Sequence, residues 1–364
     1  MRRILIACLA LLATLTPQLQ AAAPPPVRFA MIGLSHDHAM NFLPRLAGRT
    51  DIQLVGIVET NSDLIDRYSE RFHLSRSLFF PDLKTLLAHT NLQAVATFTS
   101  VYDHERVVET CVRHGLDVMM EKPLAANLKQ ARAIAAAAKK SGIQVFVNYE
   151  TSWYPGTQAA YALVHDQRAL GPVWKMVFHD GHRGPKEIGC STNFLAWLTD
   201  PVLDGGGAIN DFGCYGADLA TWFFDGEKPV SVFAVAQHLK PDVYPKVEDN
   251  ATIILNYPGA QVILEPSWNW PVDRKDMEIY GRSGQLLLPQ PDLMQISTFA
   301  HPETREVTPP ALTGALADPV SYFVAVVRGT IKPTGPASLD TNLTVMEILD
   351  AAHRSVQSGK EVKL

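Results

Sequence analysis

The tripeptide Glu121-Lys122-Pro123 directly follows an apolar run from Leu116 to Met120. A lysine at the mouth of a parallel sheet, where little water reaches, has its pKa lowered by desolvation or by a nearby cation. It then exchanges a proton with a substrate hydroxyl near neutral pH. Taken alone, a loop lysine is more often a solvated surface charge, so its company decides. Downstream lies a Gly-rich stretch, Gly205 to Tyr215, that carries Asp211. His36 and His38 stand two apart and in an extended loop point the same way, with Asp37, Glu59 or His104 as further metal donors. Metal-bound histidines come with defined partners that orient the ring, and the sequence shows none. The expectation is no metal, with packed rings and a hydrogen bond to a cofactor phosphate. Ser267-Trp268-Asn269-Trp270-Pro271 adds flat faces on which a pyranose ring can stack.

The elements that must position these residues alternate in the first half. Apolar runs at Val27–Ile32, Ile52–Val58, Leu92–Phe98, Leu116–Met120 and Ile143–Val147 read as strands. Between them, a helix begins near His38, another is capped at Asn61-Ser62-Asp63 and runs through Arg71, a third starts at Asp103 and stops at Gly115, and an Ala-rich one spans Asn127 to Lys140. Continuous apolar strands separated by amphipathic helices imply a parallel sheet covered on both faces. Ligands collect at the carboxyl ends of such strands. The second half changes period. Runs at Val173–Phe178, Val230–Ala236, Thr252–Asn256, Gln261–Glu265 and Met277–Tyr280 read as a largely antiparallel sheet. Helical spacing appears around Phe194–Leu198 and Ala217–Phe224, and again from Val345 to Val356, with Gly359 as the stop.

A length of 364 residues predicts two domains. At 47% hydrophobic and 19% charged, the composition excludes a disordered or collagen-like chain. Net charge is −5, with no basic footprint for nucleic acid. Arg2 and Arg3, the apolar run Ile4–Leu15 and the small residues ending at Ala23 form the three-part pattern of a secretory leader. Residues 1–23 are therefore expected to be removed by a Sec-type route, leaving 30 basic against 37 acidic residues, or −7. The protein is expected in the periplasm or outside the cell. Cys111, Cys190 and Cys214 remain, without metal spacing; a Cys190–Cys214 disulfide is one option and free thiols the other.

With Glu121-Lys122-Pro123 after the fourth strand and Asp211-Phe212-Gly213-Cys214-Tyr215 downstream, the chain resembles the glucose–fructose oxidoreductase/inositol dehydrogenase (Gfo/Idh/MocA) family from Phe29 to the final helix. The resemblance implies an α/β protein: an N-terminal Rossmann domain with a doubly wound parallel sheet (27–148), then a C-terminal α/β domain with an open, largely antiparallel sheet (149–364) for substrate and oligomer contacts. Lys122 takes the position of the active-site lysine, and Asp211 and Tyr215 those of the downstream acid and the acid–base residue. Most relatives have His where this chain has Tyr215. The neighbouring cation is expected to lower the Tyr215 pKa toward the working range. The dinucleotide fingerprint requires three glycines, and here Gly33, Ser35 and His38 hold those positions. Ser35 admits a phosphate, while the His38 ring stands where a helix should press on a strand. Glu59 ends the second strand, where an acid binds ribose hydroxyls and disfavours a 2′-phosphate. His36, Thr99, His104 and Glu121 complete the expected cofactor contacts, with NAD preferred to NADP. Substrate contacts are expected from Tyr149, Trp153, His179, His182 and Arg183.

The expected activity is an exported NAD(P)-dependent oxidoreductase that moves a hydride at a secondary alcohol of a sugar or glycoside. Free NAD is scarce outside the cytoplasm, so the cofactor is expected to be held tightly. Two alternatives stay open: a redox-assisted glycoside hydrolase or lyase using bound NAD, and a cofactor-free sugar-binding relative. A homo-oligomer is expected, with no nucleic-acid partner and, once the leader is gone, no membrane partner.

Overall fold

The apolar runs of the first half pair into one parallel sheet in a computed structural model that describes residues 24–364. The expected leader lies outside the described residues. The strands are β1 (Val27–Ile32), β2 (Ile52–Val58), β3 (Phe79–Phe80), β4 (Ala94–Thr97), β5 (Asp117–Glu121) and β6 (Val145–Asn148), in the order β3-β2-β1-β4-β5-β6. All β4 residues and all but one of β5 are buried, as a sheet covered on both faces requires. Strand order reverses between β1 and β4, and the crevice of such a sheet opens at that point.

The connecting helices are α1 (Ala39–Phe42), α2 (Ser62–Phe72), α3 (Leu83–His89), α4 (His104–His114) and α5 (Leu128–Ser141). Their ends follow local chemistry. The Asn61 side chain accepts from the N–H groups of Asp63 and Leu64, and Asn127 accepts from that of Gln130. Gly115 closes α4 at φ 65°. Asp103 is the exception: it precedes α4 without capping it, and its carboxylate accepts from Ser100 Oγ and Arg106 instead. The helix expected after β1 is only four residues long, followed by a 3₁₀ turn over Leu43–Leu46. Pro44 in that turn has no N–H to extend an α ladder.

The second sheet has nine strands. They are β7 (Val173–Gly181), β8 (Ser231–Gln237), β9 (Asn250–Asn256), β10 (Gln261–Ser267), β11 (Arg274–Gly281), β12 (Gly284–Gln290), β13 (Leu293–Thr298), β14 (Arg305–Val307) and β15 (Val362–Lys363). The β7–β10 pair is parallel and the other pairs are antiparallel. Alternate residues are buried, for example Ala251, Ile253 and Leu255 of β9, so one face meets the core. Helices α6 (Pro155–His165), α7 (Thr192–Leu198), α8 (Ala208–Asp211), α9 (Gly213–Phe223), α10 (Pro319–Val327) and α11 (Leu339–Ser358) complete the chain. Helices α8, α9 and α11 cover that face.

A division at 148/149 is not clean, because α10 returns to the first layer. Its Phe323 packs 5.5 Å from Phe29 and 5.9 Å from Phe146, ring centre to ring centre. Cys190 and Cys214 are both free, so the disulfide option is not realised. Among the described residues, no helix is long and apolar enough to cross a membrane.

Candidate active site

Lys122, just past β5, is 5% exposed and forms an ion pair with Asp211 of α8. Its Nζ also donates to the Asp211 carbonyl at 2.9 Å. The second Asp211 oxygen accepts from Trp268 Nε1 at 2.9 Å. Burial works against the Lys122 charge, but the Asp211 carboxylate outweighs it and the ammonium pKa is raised. This overturns the expected downward shift, because the partner at this sheet mouth is an anion and not a cation. For Asp211, burial raises the carboxyl pKa and the facing ammonium more than reverses it.

Tyr215 also departs from expectation. Two cations lie over its ring, with Lys122 Nζ 5.2 Å and Lys275 Nζ 5.0 Å from its centre. Both ammonium groups address the ring, and burial pushes the phenol pKa well up. Tyr215 is thus an un-ionised hydroxyl and not a phenolate in waiting. His182 sits edge-on to Phe212, with ring centres 4.9 Å apart. Burial lowers its pKa more than the nearby Asp211 raises it.

The crevice between β1 and β4 holds a cavity of about 580 Å³, lined by Gly33, Ser35, Glu59, Asn61, Thr99 and Asn193 among others. Gly33 turns at φ 78°, and a Cβ there would lie 2.6 Å from Thr99 Cγ2, so only glycine fits. Glu59 Oε2 accepts from Leu34 N at 2.9 Å, and its Oε1 accepts from the N–H groups of Thr60 and Asn61. Helix α7 braces the loop: Trp197 Nε1 donates to the Ser35 carbonyl, and Asp37 accepts from Ser191 N at 2.7 Å and Ser191 Oγ at 2.6 Å. A glycine turn, an acid at the end of β2 and an open cleft are the features a dinucleotide needs, and the residues present fit one.

The remaining expected cofactor contacts do not line this cavity. His36 is fully buried against Phe194 and Trp197, at 4.8 and 5.2 Å between ring centres, so it cannot meet a phosphate. His38 does not wedge a helix from a strand, because α1 is one short turn; its Nδ1 lies 2.7 Å from Glu121 Oε2. Glu121 Oε1 accepts from Asn148 Nδ2 at 2.8 Å. His104 is fully buried, neutral with its pKa lowered to about 4 by burial, and Nδ1 meets the Leu124 carbonyl at 3.2 Å. It joins α4 to the segment after Lys122.

Several expected substrate contacts are corrected. Tyr149 is fully buried, with its ring centre 5.4 Å from that of Tyr215. Trp153 packs at a tilt against Tyr322 of α10, with ring centres 5.2 Å apart, and donates its indole N–H to Asn148 at 2.9 Å. His179 faces the side of the second sheet opposite Lys122, where its Nδ1 lies 2.9 Å from Asp276. Alternation along β7 instead turns Asp180 to the helix-covered face, an assignment a one-residue shift along a strand reverses. Arg183 is exposed. Trp268 is no sugar platform, being fully buried as the Asp211 anchor. Trp268 stood out in the sequence only as an aromatic, and its pairing with Asp211, 57 positions away, had no local signal.

Residues 27–149 match the oxidoreductase family with an NAD-binding Rossmann fold, and residues 157–287 match the GFO/IDH/MocA C-terminal domain. The trans-1,2-dihydrobenzene-1,2-diol dehydrogenase of Xenopus laevis is 30% identical over 186 residues, covering 51% of this chain and only about half (52%) of that protein. The D-apiose dehydrogenase of Paraburkholderia graminis is 22% identical over 328 residues, covering 86% of this chain and 83% of that one. The crystal structure of an aldose-aldose oxidoreductase from Caulobacter crescentus, complexed with glycerol, superposes with a TM-score of 0.79 at 24% identity, covering 93% of this chain and 100% of that one.

Proposed function

The chain belongs to the GFO/IDH/MocA oxidoreductase family, and from that premise we propose that it is an exported NAD-dependent enzyme acting on a secondary alcohol of a sugar or glycoside. The observation that carries this reading is the Lys122–Asp211 pair, buried just past the carboxyl end of β5, the strand beside β4 at the switch point of the parallel sheet. A nicotinamide bound in that crevice would supply the hydride donor or acceptor.

Lys122 remains an ammonium, so its work is to hold the substrate oxygen and to stabilise the negative charge that develops on it. Asp211, fixed by Trp268, keeps that ammonium aimed. Lys122 keeps its proton in both directions. In the oxidising direction the hydroxyl proton needs a neutral acceptor, and His182, whose pKa burial lowers, offers one; in the reducing direction the same ring, once protonated, returns it. Tyr215 contributes an un-ionised hydroxyl. Glu59 supports NAD over NADP, because its carboxylate is fixed by three backbone N–H groups where a 2′-phosphate would bring like charge. The leader pattern supports export, which in turn favours a cofactor that stays bound through the cycle. The face of the second sheet that helices leave open supports a homo-oligomer.

Native mass spectrometry of the protein from the periplasm tests the cofactor, and a bound mass matching NAD is expected. Absence of NAD even after incubation with excess would leave the sugar-binding alternative. Aryl glycosides then separate the chemistries: cofactor reduction without phenol release is expected, and phenol release would move the enzyme to redox-assisted cleavage. Lys122→Ala is expected to lower turnover by roughly 10²–10⁴-fold, and retained turnover removes Lys122 from the reaction.

A further inference from the structure

The loop after β1 and the end of β5 bring together groups that hydride chemistry does not use. One nitrogen each from His36 and His38 and one carboxylate oxygen of Glu121 lie within 4.8 Å of one another. His36 is fully buried, and its Nε2 has no hydrogen-bond partner among the described residues. Its other nitrogen, Nδ1, accepts the His38 backbone N–H at 3.2 Å. Buried polar nitrogens are nearly always partnered, so an unpartnered one on a ring of such a donor cluster leaves room for a ligand. The two imidazoles lie 4.4 Å apart, centre to centre. Glu121 is held from behind by Asn148, itself held by the Trp153 indole, so the carboxylate is oriented by neighbours as metal carboxylates are.

We propose that His36, His38 and Glu121 form a binding site for a divalent transition-metal ion. Two imidazoles and one carboxylate suit zinc or ferrous iron, whereas calcium and magnesium prefer all-oxygen sets. The carboxylate offsets part of the ion's charge. The neighbouring Lys122 is already neutralised by Asp211, so the ion does not face a bare cation. The His38 side chain is 35% exposed and that of Glu121 2%, which leaves the His38 side as the entry. Three protein donors keep coordination positions free for water or a hydroxyl oxygen. Aspartate and glutamate near the histidine pair in sequence are occupied elsewhere: Asp37 holds Ser191 and Glu59 holds backbone N–H groups. The third donor lies 83 positions from His38, beyond any local motif. This inference does not depend on NAD binding.

The full chain, stripped with chelator, is dialysed against Zn²⁺ or, without oxygen, Fe²⁺, and its metal content is measured. One equivalent per chain is expected, with an upward shift of the thermal unfolding midpoint and visible Co²⁺ bands on cobalt substitution. In His38→Ala and Glu121→Gln the content is expected to fall to background. His38→Gln serves as a second replacement at the half-exposed position, with circular dichroism confirming the fold. A wild-type chain that retains no metal overturns the proposal, as does a folded His38 variant that keeps the full equivalent. NAD content in the same samples reports on the cofactor reading separately.

Discussion

At the residue scale, the charge state of each group follows from the balance between its burial and its partner. Lys122 and Cys214 are both buried, but the Asp211 carboxylate outweighs burial for the lysine and favours its charged form, whereas for Cys214 burial outweighs the Lys122 charge and the neutral thiol is kept. At the nucleotide crevice Glu59 has its carboxylate held in place by the N–H groups of Leu34, Thr60 and Asn61. Replacing it by Ser removes the fixed negative charge, and the NADP-to-NAD affinity ratio is expected to rise roughly tenfold, about 1.4 kcal/mol. Titrating both cofactors into the one variant measures the ratio, and an unchanged ratio would end the role assigned to Glu59. Lys122, Asp211, Gly33 and Glu59 were legible because each stands directly after an apolar run or in a glycine-rich turn. The partner of His38 was not legible, since β5 meets the β1 loop only in three dimensions. Nor was the direction of the Lys122 shift, which depends on an acid 89 positions away.

At the element scale, legibility followed length and punctuation. Helix α11 was readable from five apolar residues at helical spacing and from Gly359, which closes it at φ 65°. Helix α2 was readable from Asn61. Strand β3 has two residues and shows no period, and β15 is equally short. Helix α10 has a clear cap in Asp318, whose carboxylate accepts from the N–H groups of Val320 and Ser321, but nothing in its sequence says which layer it joins. Its Phe323 is fully buried between Phe29 and Phe146. Phe323→Ala is expected to destabilise the protein by about 3–5 kcal/mol, the usual cost of an aromatic cavity. Urea unfolding should show a lower midpoint at unchanged slope. A midpoint equal to wild type would mean that α10 is not part of the first core.

At the scale of the whole molecule, buried acids set the response to pH. Burial raises the carboxyl pKa of Asp180, Asp204 and Asp218 well above the ordinary range. Above that range the unfolded chain has lost these protons while the native chain keeps them. Stability therefore falls as pH rises from the ordinary carboxylate pKa toward the raised one. Asp211 acts in the opposite sense: its lowered pKa stabilises the fold above the ordinary range and ceases to do so as pH falls through the lowered value. Among the described residues, Asp218 has no hydrogen-bond partner on either oxygen. Asp218→Asn is expected to flatten the decline by up to about 1.4 kcal/mol per pH unit. Denaturant titrations between about pH 5 and pH 8 measure the slopes, and parallel curves for the two proteins would refute the assignment.

The return of α10 to the first layer also bears on how the chain is made. A nascent polypeptide ending before Pro319 has no partner to lay across Phe29 and Phe146. Its early lobe therefore emerges from the ribosome with an uncapped greasy flank, and becomes a finished body only when synthesis is almost over.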